Sequence, residues 1–459
     1  MGNFWDYSVW ETFSILAILL GSLLVGNIIK KVVPFLKKSL IPTSVIGGVI
    51  LIIISVIYKE ITGTVMFDTY FFGGNGTEKL EIVTYHALAL GFIASTLKNT
   101  ENKMTKKRAS EIFNTGVTTV SVYLLQGVVG LTITFIAARV VKGFFPVAGV
   151  LLPFGYGQGT GQALNYGSIY ELQYGFVGGK SFGLTVAALG FLSASIGGVI
   201  HLNVMKYFGK LKLADKSVFS VSTNEDTPEQ NTSSESLDRL TMQISLIILS
   251  YFVTYGLMFL LGNLLPGMKS VIYGFNFLLG VIVAILVKSM LKFLTKKSVL
   301  KRRLTDDFLL TRISNLCFDV MIVSGIAAIR LDSLENYWGI IIILGVVGAV
   351  MTYAYNRFVA KKLFPEYSEE QFLMMYGMLT GTASTGTILL REVDSDFKTP
   401  ASDNMIYQNL PAIAFGFPMM ILATIAPEKP TLAMIIFVAY FIVMNIILFR
   451  EQIFKKLKK

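Results

Sequence analysis

Apolar runs long enough to cross a membrane recur from one end of this chain to the other. A helix needs about 20 mainly apolar residues to span the hydrocarbon core of a bilayer. Charged residues make up only 15% of the 459 residues, whereas soluble domains have roughly 25%. Because transmembrane barrels have short alternating segments instead, we predict an all-α polytopic membrane protein.

The apolar runs predict about 11 transmembrane helices. Their bounds are Trp10 to Ile29, Ile41 to Tyr58, Leu80 to Leu97, Gly116 to Ala138, Ser181 to Leu202, Leu240 to Leu265, Ser270 to Met290, Ile313 to Ile329, Trp338 to Val359, Met405 to Ile425 and Leu432 to Phe449.

Two glycine-rich polar segments interrupt the apolar runs, at residues 147–168 and 372–390. In the first, glycine occupies every second position from Gly155 to Gly161. Each glycine in a helix interior costs roughly 1 kcal/mol relative to alanine. Irregular backbone at membrane depth is tolerated only where it is buried in protein or lines a watery cavity. We therefore predict two re-entrant hairpins whose freed backbone groups face a solute.

The net charge of +11 indicates topology, because the Lys and Arg residues cluster beside the ends of the apolar runs. Placing the amino terminus outside puts every strong basic cluster and the carboxyl terminus in the cytoplasm, provided that neither hairpin is a full span. The charge therefore predicts contact with the lipid bilayer and no nucleic-acid partner.

A polar, Ser- and Thr-rich segment separates two similar halves. We predict an N-terminal repeat at 1–205, a cytoplasmic linker at 206–239, a C-terminal repeat at 240–430, and an extra helix with a basic tail at 431–459. Gly159 matches Gly381 at an offset of 222 residues, and Glu171 matches Glu392 at an offset of 221. Because an odd number of crossings separates the matched elements, these matches predict the inverted-repeat plan of secondary transporters. The alternative is a chance match of a few residues.

Several motifs resemble the sodium:glutamate symporter (ESS) family. They are Phe35-Leu-Lys-Lys-Ser-Leu-Ile-Pro-Thr-Ser-Val-Ile-Gly-Gly48, Gly157-Gln-Gly-Thr-Gly161, Glu171-Leu-Gln-Tyr-Gly-Phe176 and Asn315. The resemblance implies a bacterial-type inner-membrane importer of L-glutamate, coupled to Na⁺. It also implies opposed hairpins and a transport domain that moves against a homodimeric scaffold.

The chain departs from the family pattern at three places. Gln158 stands where the family usually has histidine in the first hairpin, and the Thr-rich second hairpin differs from the family's Gly-Phe-Gly-Leu-Gly form. The last predicted span, Leu432 to Phe449, resembles an addition to the family's set of helices. These departures leave the exact substrate and the coupling ion open.

The candidate site residues are polar groups in the broken segments. We expect the substrate, a small anionic amino acid, to bind Gln158, Gly159, Thr160, Gly161, Gln162, Thr380, Gly381, Thr382, Ser384, Thr385 and Arg391. We expect the coupling ion Na⁺ to bind Asn315, Asp319 and Thr387, since sodium prefers hard oxygen ligands. The alternative is that the hydroxyls only satisfy broken backbone or permit close helix packing. No other cofactor is expected.

Asp319 lies well inside a predicted span, where an isolated carboxylate costs roughly 2.5 to 3.5 kcal/mol. It follows Asn315 by four positions, so both side chains project from one helix face and can hold a cation together. The alternatives are an ion pair with a basic residue or a span that starts later than predicted.

The substrate carboxylates need positive partners. Unpaired amides at the hairpin tips favour anions, and Arg391 is the arginine that adjoins a hairpin core. The alternative for Arg391 is a pair with Glu392 or Asp394 at the cytoplasmic edge. His86 is either a proton-coupling group or a histidine hydrogen-bonded between helices.

Other function classes remain as alternatives. A carrier of another small carboxylate, coupled to sodium or protons, fits the same features. A channel fits less well, because opposed hairpins suit occlusion better than an open pore. An integral-membrane enzyme is not favoured, since the short external loops are poor in His, Asp and Glu. The sequence has no Walker A pattern, so ATP is not expected as the direct energy source.

Overall fold

The structure is a computed structural model that describes residues 3–38, 41–98, 105–209, 233–266, 269–298, 304–394 and 398–457. Most of the predicted linker 206–239, the basic residues Lys301 to Arg303 and the last two lysines lie outside the described residues.

Every regular element within these ranges is helical. The α-helices are α1 Tyr7–Val32, α2 Pro34–Lys38, α3 Thr43–Thr62, α4 Gly76–Leu97, α5 Lys106–Val140, α6 Leu151–Tyr174, α7 Gly179–Tyr207, α8 Ser233–Leu264, α9 Lys269–Gly274, α10 Asn276–Lys296, α11 Asp307–Ala327, α12 Trp338–Leu363, α13 Ser368–Thr380, α14 Ala383–Arg391, α15 Ala401–Tyr407, α16 Asn409–Ile425, α17 Pro430–Leu448 and α18 Arg450–Leu457. Short 3₁₀ turns occupy Met66–Asp68, Tyr70–Phe72, Ala148–Val150, Leu331–Leu334 and Pro365–Tyr367.

The all-α polytopic fold class is confirmed. In the described part of the chain, 10 helices are long and apolar enough to cross a membrane, or 11 if α15 and α16, which are bent by 50°, form one span. Some bounds differ from prediction because helices extend beyond their apolar runs. Helix α5 begins at Lys106 rather than Gly116, and Thr105 caps it by accepting a hydrogen bond from the Arg108 amide.

The chain divides into two compact units. The first comprises Met1–Glu81, Met104–Ala214 and Ile322–Lys459, and the second comprises Ile82–Lys103 and Asp215–Met321. Helices α5, α7 and α12 and both glycine-rich segments belong to the first unit. In the second, a buried cluster that includes Ile93, Ile247 and Ala284 packs α4, α8 and α10 together. The predicted boundaries of the two repeats stay a prediction.

Helix α6 consists of two arms that fold back on each other. Gly159 separates them with φ 79° and ψ −171°, a backbone conformation open almost only to glycine. The rings of Phe154 and Tyr166 stack with their centroids 3.6 Å apart. A continuous helix would separate these two residues by about 18 Å, so the chain reverses at Gly159. We call residues 151–174 hairpin 1 and the turn at Gly159 its tip.

Hairpin 1 is fixed at its open end by aromatic side chains. Three hydroxyls, one helical turn apart, donate to carbonyl oxygens of α16: Tyr166 to Met420 at 2.9 Å, Tyr170 to Ala423 at 2.7 Å and Tyr174 to Thr424 at 3.3 Å. Gly175, at φ 72°, then ends the second arm in the left-handed conformation, and Phe176 stacks on Phe145 with centroids 4.8 Å apart. These contacts account for the tyrosine, glycine and phenylalanine that close the 171–176 motif.

Helices α13 and α14 form a second helix–break–helix unit, hairpin 2, whose tip is Gly381 and Thr382. Its arms lie close together, since a Cβ on Gly377 would be 2.7 Å from the Gly386 Cα atom. The Thr382 side chain caps α14 by accepting a hydrogen bond from the Thr385 amide at 3.3 Å.

Helix α7 contacts both hairpins, and small residues set the spacing. Gly183 faces the second arm of hairpin 1, and Gly198 faces α14 of hairpin 2. Between them, a Cβ on Gly190 would lie 2.4 Å from the Thr380 carbonyl oxygen and 2.9 Å from Cδ1 of Tyr156. The hairpins therefore approach α7 from opposite ends and their tips meet beside Gly190. Their re-entrant disposition in a membrane and the inverted-repeat origin of the two halves stay predictions.

Candidate substrate and ion site

The tip of hairpin 1 carries buried carboxamides that lack partners. Gln162 is 1% exposed, and neither its Oε1 nor its Nε2 has a hydrogen-bond partner among the described residues. Nε2 of the half-buried Gln158 is also buried without a hydrogen-bond partner among the described residues. Because unpaired buried polar groups cost free energy and are rare in folded proteins, these two side chains are available to a ligand.

The other predicted residues of hairpin 1 build the turn. Gly159 supplies the reversal described above. Thr160 is fully buried and packs against α11, where a Cβ on Gly325 would lie 2.7 Å from the Thr160 Cβ atom. Gly161 is also buried and begins the second arm. The amides of this first turn form the positive end of the second arm's helix dipole.

The hydroxyls at the tip of hairpin 2 are bonded within the hairpin. Thr380 donates to the Tyr376 carbonyl oxygen at 2.6 Å, and the hydroxyls of Thr382 and Thr385 lie 3.2 Å apart. Thr387 donates to the Ala383 carbonyl oxygen at 2.9 Å. The hydrogen atoms of Thr380 and Thr387, and one of the two in the Thr382–Thr385 pair, are thus committed to local bonds. The oxygen lone pairs can still accept a hydrogen bond or a cation.

Helix α5 holds both tips with side chains one turn apart. The Tyr123 hydroxyl donates to the Gly157 carbonyl oxygen at 2.9 Å, and Gln126 Nε2 donates to the Leu379 carbonyl oxygen at 3.0 Å. Gly157 precedes the break at Gly159 by two residues, and Leu379 precedes Gly381 by the same distance. The two bonds therefore join equivalent positions of the two hairpins to one helix.

An ionic cluster fixes the open end of hairpin 2. Glu369, in the first turn of α13, pairs with Arg357 of α12 through both guanidinium nitrogens, and His201 Nε2 of α7 lies 3.1 Å from Glu369 Oε2. His201 Nδ1 is 2.7 Å from the Tyr353 hydroxyl. Burial would raise the pKa of Glu369, but the hydrogen bonds with His201 and Arg357 outweigh it and hold the pKa at about 2.

Arg391 lies away from the tips. It ends α14, which begins at Ala383, so about 12 Å of helix separates it from the tip of hairpin 2. Its side chain is exposed. Ser384 belongs to the first turn of α14, and its side chain is outside the described part of the structure.

The predicted sodium ligands do not share one element. Thr387 is in α14 of the first unit, whereas Asn315 and Asp319 lie one turn apart on α11 within the second. Asn315 is exposed and Asp319 is half-buried. Helix α11 begins at Asp307, six residues before the predicted start of this span at Ile313. His86, also in the second unit, has its Nδ1 2.7 Å from the Tyr251 hydroxyl.

Sequence reasoning missed Tyr123 and Gln126 on α5 and the cluster of His201 and Glu369. A signal for the first pair exists. Thr115, Thr119, Tyr123 and Gln126 follow each other at intervals of four, four and three residues, so one face of an otherwise apolar helix is polar. The second pair has no local signal, because its partners are 168 residues apart.

The arrangement offers complementary charges at one place. The amino termini of α14 and of the second arm of hairpin 1 are the positive ends of helix dipoles, which favour an anion. The carbonyl ends of the two first arms favour a cation. A multi-pass helical protein with two broken helices that meet beside a central helix has the architecture of secondary transporters.

A comparison with protein families gives the particular class. The model of the sodium/glutamate symporter family matches residues 7–369, well over half of the chain. The chain belongs to this family, which is a family of membrane transporters. The matched range ends in the first turn of α13, so it includes hairpin 1 and stops before the tip of hairpin 2. A search of the curated proteins found no match.

Proposed function

We propose that this protein imports L-glutamate across the inner membrane by sodium-coupled alternating access. The observation that carries the proposal is the pair of carboxamides at the tip of hairpin 1: Gln158 Nε2 and both polar atoms of Gln162 are buried without a partner in the described structure. They lie on a broken helix that meets a second broken helix beside Gly190. Membership of the symporter family supplies the substrate and the ion.

The chemistry of the tips suits a zwitterion with two carboxylates. One carboxylate accepts hydrogen bonds from amides in the first turn of α14, and the other from the first turn of the second arm of hairpin 1. The Nε2 groups of Gln158 and Gln162 donate to carboxylate oxygens, and Gln162 Oε1 accepts from the substrate ammonium. The hydroxyl oxygens of Thr382 and Thr385 complete the hydrogen bonding.

Sodium coupling requires a cation whose binding changes substrate affinity. Asn315 and Asp319, one turn apart on α11, supply an amide oxygen and a carboxylate for it. In the proposed cycle the hairpins act as gates, and the domain that carries them moves against a homodimeric scaffold, as in an elevator. The amino terminus lies outside and the carboxyl terminus in the cytoplasm.

Uptake into proteoliposomes tests the proposal. We expect radiolabelled L-glutamate to accumulate when an inward sodium gradient is imposed and not when choline replaces sodium. Asp319→Asn should abolish the sodium dependence. The matched control is Asp332→Asn, at an exposed ion pair with Lys59, and it should retain uptake. Sodium-independent accumulation would refute sodium coupling.

A second candidate is a sodium- or proton-coupled carrier of another small carboxylate. The observation that favours it is that the family match stops at residue 369, before the tip of hairpin 2. Competition by unlabelled C3 to C5 mono- and dicarboxylates, with and without a pH gradient, distinguishes the two candidates. A competitor stronger than L-glutamate would assign that compound as the substrate.

A further inference from the structure

Buried polar groups gather where α5, α12 and the end of α13 meet. Gln126 Nε2 donates to Thr352 Oγ1 at 2.9 Å as well as to the Leu379 carbonyl oxygen at 3.0 Å. Gln126 and Thr352 are fully buried. Asn356 follows Thr352 by one helical turn on the same face of α12 and is 2% exposed. We call Gln126, Thr352, Asn356 and the backbone of Leu379 the α5–α12 group.

Two members of this group have unsatisfied atoms. Gln126 Oε1 and both carboxamide atoms of Asn356 are buried without a hydrogen-bond partner among the described residues. Helical proteins rarely leave a carboxamide in this condition, because desolvation without a partner opposes folding. A ligand that contacts the oxygen atoms of these side chains would remove part of the penalty.

The composition of the group indicates which ligand it is. Leu379 lies in the last turn of α13, where the free carbonyl oxygens form the negative end of the helix dipole. Carboxamide and hydroxyl oxygens together with a carbonyl freed by a helix break are ligands that transporters use for Na⁺. The four residues carry no formal charge, which suits a monovalent cation better than a divalent one.

We propose that Gln126 Oε1, Thr352 Oγ1, Asn356 Oδ1 and the Leu379 carbonyl oxygen bind a sodium ion. The Gln126 carboxamide turns by half a rotation, so that Oε1 replaces Nε2 beside the other oxygens. The ion then replaces the two hydrogen bonds that Nε2 makes. It also fixes the carbonyl end of α13 two residues before the break at Gly381, which ties ion binding to the tip of hairpin 2.

The role of this site in coupling rests on the proposed function, but ion binding is testable without transport. The experiment measures Tm of the purified protein in detergent, without glutamate, as NaCl replaces choline chloride at constant ionic strength. We expect Tm to rise with sodium in the wild type. Thr352→Val and Asn356→Leu should each raise the half-saturating sodium concentration by about tenfold or more, since outer-shell partners alone are worth that much.

Stability in choline distinguishes a lost ligand from damaged packing. Asn356→Leu removes unpartnered polar atoms, so its Tm in choline should equal or exceed that of the wild type. The control is Thr254→Val, because among the described residues the buried Thr254 hydroxyl donates to the Ser250 carbonyl oxygen within its own helix. If Thr352→Val does not fold, Asn356→Leu decides alone.

The proposal is overturned if Asn356→Leu retains the wild-type sodium midpoint, or if potassium raises Tm of the wild type as sodium does. Its failure differs from failure of the proposed function. Sodium-driven glutamate uptake with unchanged sodium midpoints in both variants would remove this site alone. Loss of the sodium effect in both variants, in a protein that does not take up glutamate, would leave the site standing.

Discussion

The two hairpin tips differ in what they leave open to a ligand. Hairpin 1 places Gln162 in the interior with both polar atoms unpartnered within the described structure, whereas the hydroxyl of Thr380 in hairpin 2 is bonded to its own helix. The difference also follows the family match, which includes hairpin 1 and ends at residue 369. Hairpin 1 thus leaves side-chain carboxamides open to a ligand, whereas hairpin 2 leaves open mainly the ends of α13 and α14.

This contrast indicates that the two hairpins have different roles in substrate binding. Side-chain carboxamides distinguish one carboxylate substrate from another, because their donors and acceptors are directional. Helix termini attract charge with less discrimination. We therefore expect hairpin 1 to determine substrate specificity, while hairpin 2 supplies electrostatic stabilisation and contact with the ion.

The largest effect is expected where both tips meet. Gly190→Ala places a Cβ 2.4 Å from the Thr380 carbonyl oxygen and 2.9 Å from the Tyr156 ring, so the tips must separate. Overpacking of this kind costs about 1 to 3 kcal/mol, and we expect a lower Tm and loss of glutamate uptake. In Gly256→Ala the added Cβ meets nothing within 4 Å, so this control should retain both. Wild-type uptake in Gly190→Ala would contradict the meeting of the tips at α7.

Smaller effects on glutamate affinity are expected at the individual tips, and they should differ between hairpin 1 and hairpin 2. Gln162→Leu removes hydrogen bonds to a charged substrate, so binding of radiolabelled L-glutamate should weaken about 10- to 100-fold. Its Tm should not fall, because the lost groups are unpartnered in the described structure. Thr380→Val removes a local hydrogen bond and should weaken binding less than about tenfold. The reverse order of the two variants would assign specificity to hairpin 2.

The smallest effect is expected at the open end of hairpin 2. In the folded protein the pKa of Glu369 is about 2, below its ordinary value of 4.5, so the ionised group stabilises the fold. That contribution is complete above pH 4.5 and is lost as the pH falls toward 2. Glu369→Gln should cost about 1 to 2 kcal/mol at pH 7, allowing for partial exposure, without changing glutamate affinity.

The pH dependence of Tm checks this assignment. The Tm difference between the wild type and Glu369→Gln should narrow in acid. Glu366→Gln is the control, because Glu366 pairs with Lys107 where both side chains are largely exposed. The Tm difference should stay constant from pH 7 to about pH 5.5 and narrow below that, because the unfolded-state carboxylate begins to take up its proton there. A difference that is unchanged at pH 2.5 would contradict the stabilising role of the ionised carboxylate.

Hydropathy and glycine content were enough to predict the spans and both breaks. The breaks fall at Gly159 and Gly381, within the segments where glycine makes a continuous helix unfavourable. The role of each hydroxyl could not be predicted in this way. A threonine such as Thr380 bonds either to the carbonyl oxygen four residues earlier or to a ligand. The amino-acid sequence does not distinguish these two hydrogen bonds.

Distance along the chain also differs from distance in the fold. Arg391 is close to the hairpin core in sequence, but a nine-residue helix carries it to the far end of α14. Gln126 is 253 residues from Leu379 in sequence and yet bonds to its carbonyl oxygen. Such pairings depend on how helices pack, and hydrophobic periodicity specifies only which face of a helix is buried.

Substrate protection of cysteines tests most directly whether both tips form one substrate site. Cys317 is the single cysteine of the chain, so Cys317→Ser gives a background for Gln158→Cys in hairpin 1 and Thr382→Cys in hairpin 2. In variants that retain uptake, L-glutamate with sodium should slow maleimide labelling of both positions at the same half-maximal concentration, while Arg391→Cys stays unprotected. Labelling of Gln158→Cys or Thr382→Cys at a rate that ignores saturating glutamate would contradict a site shared by the two hairpins.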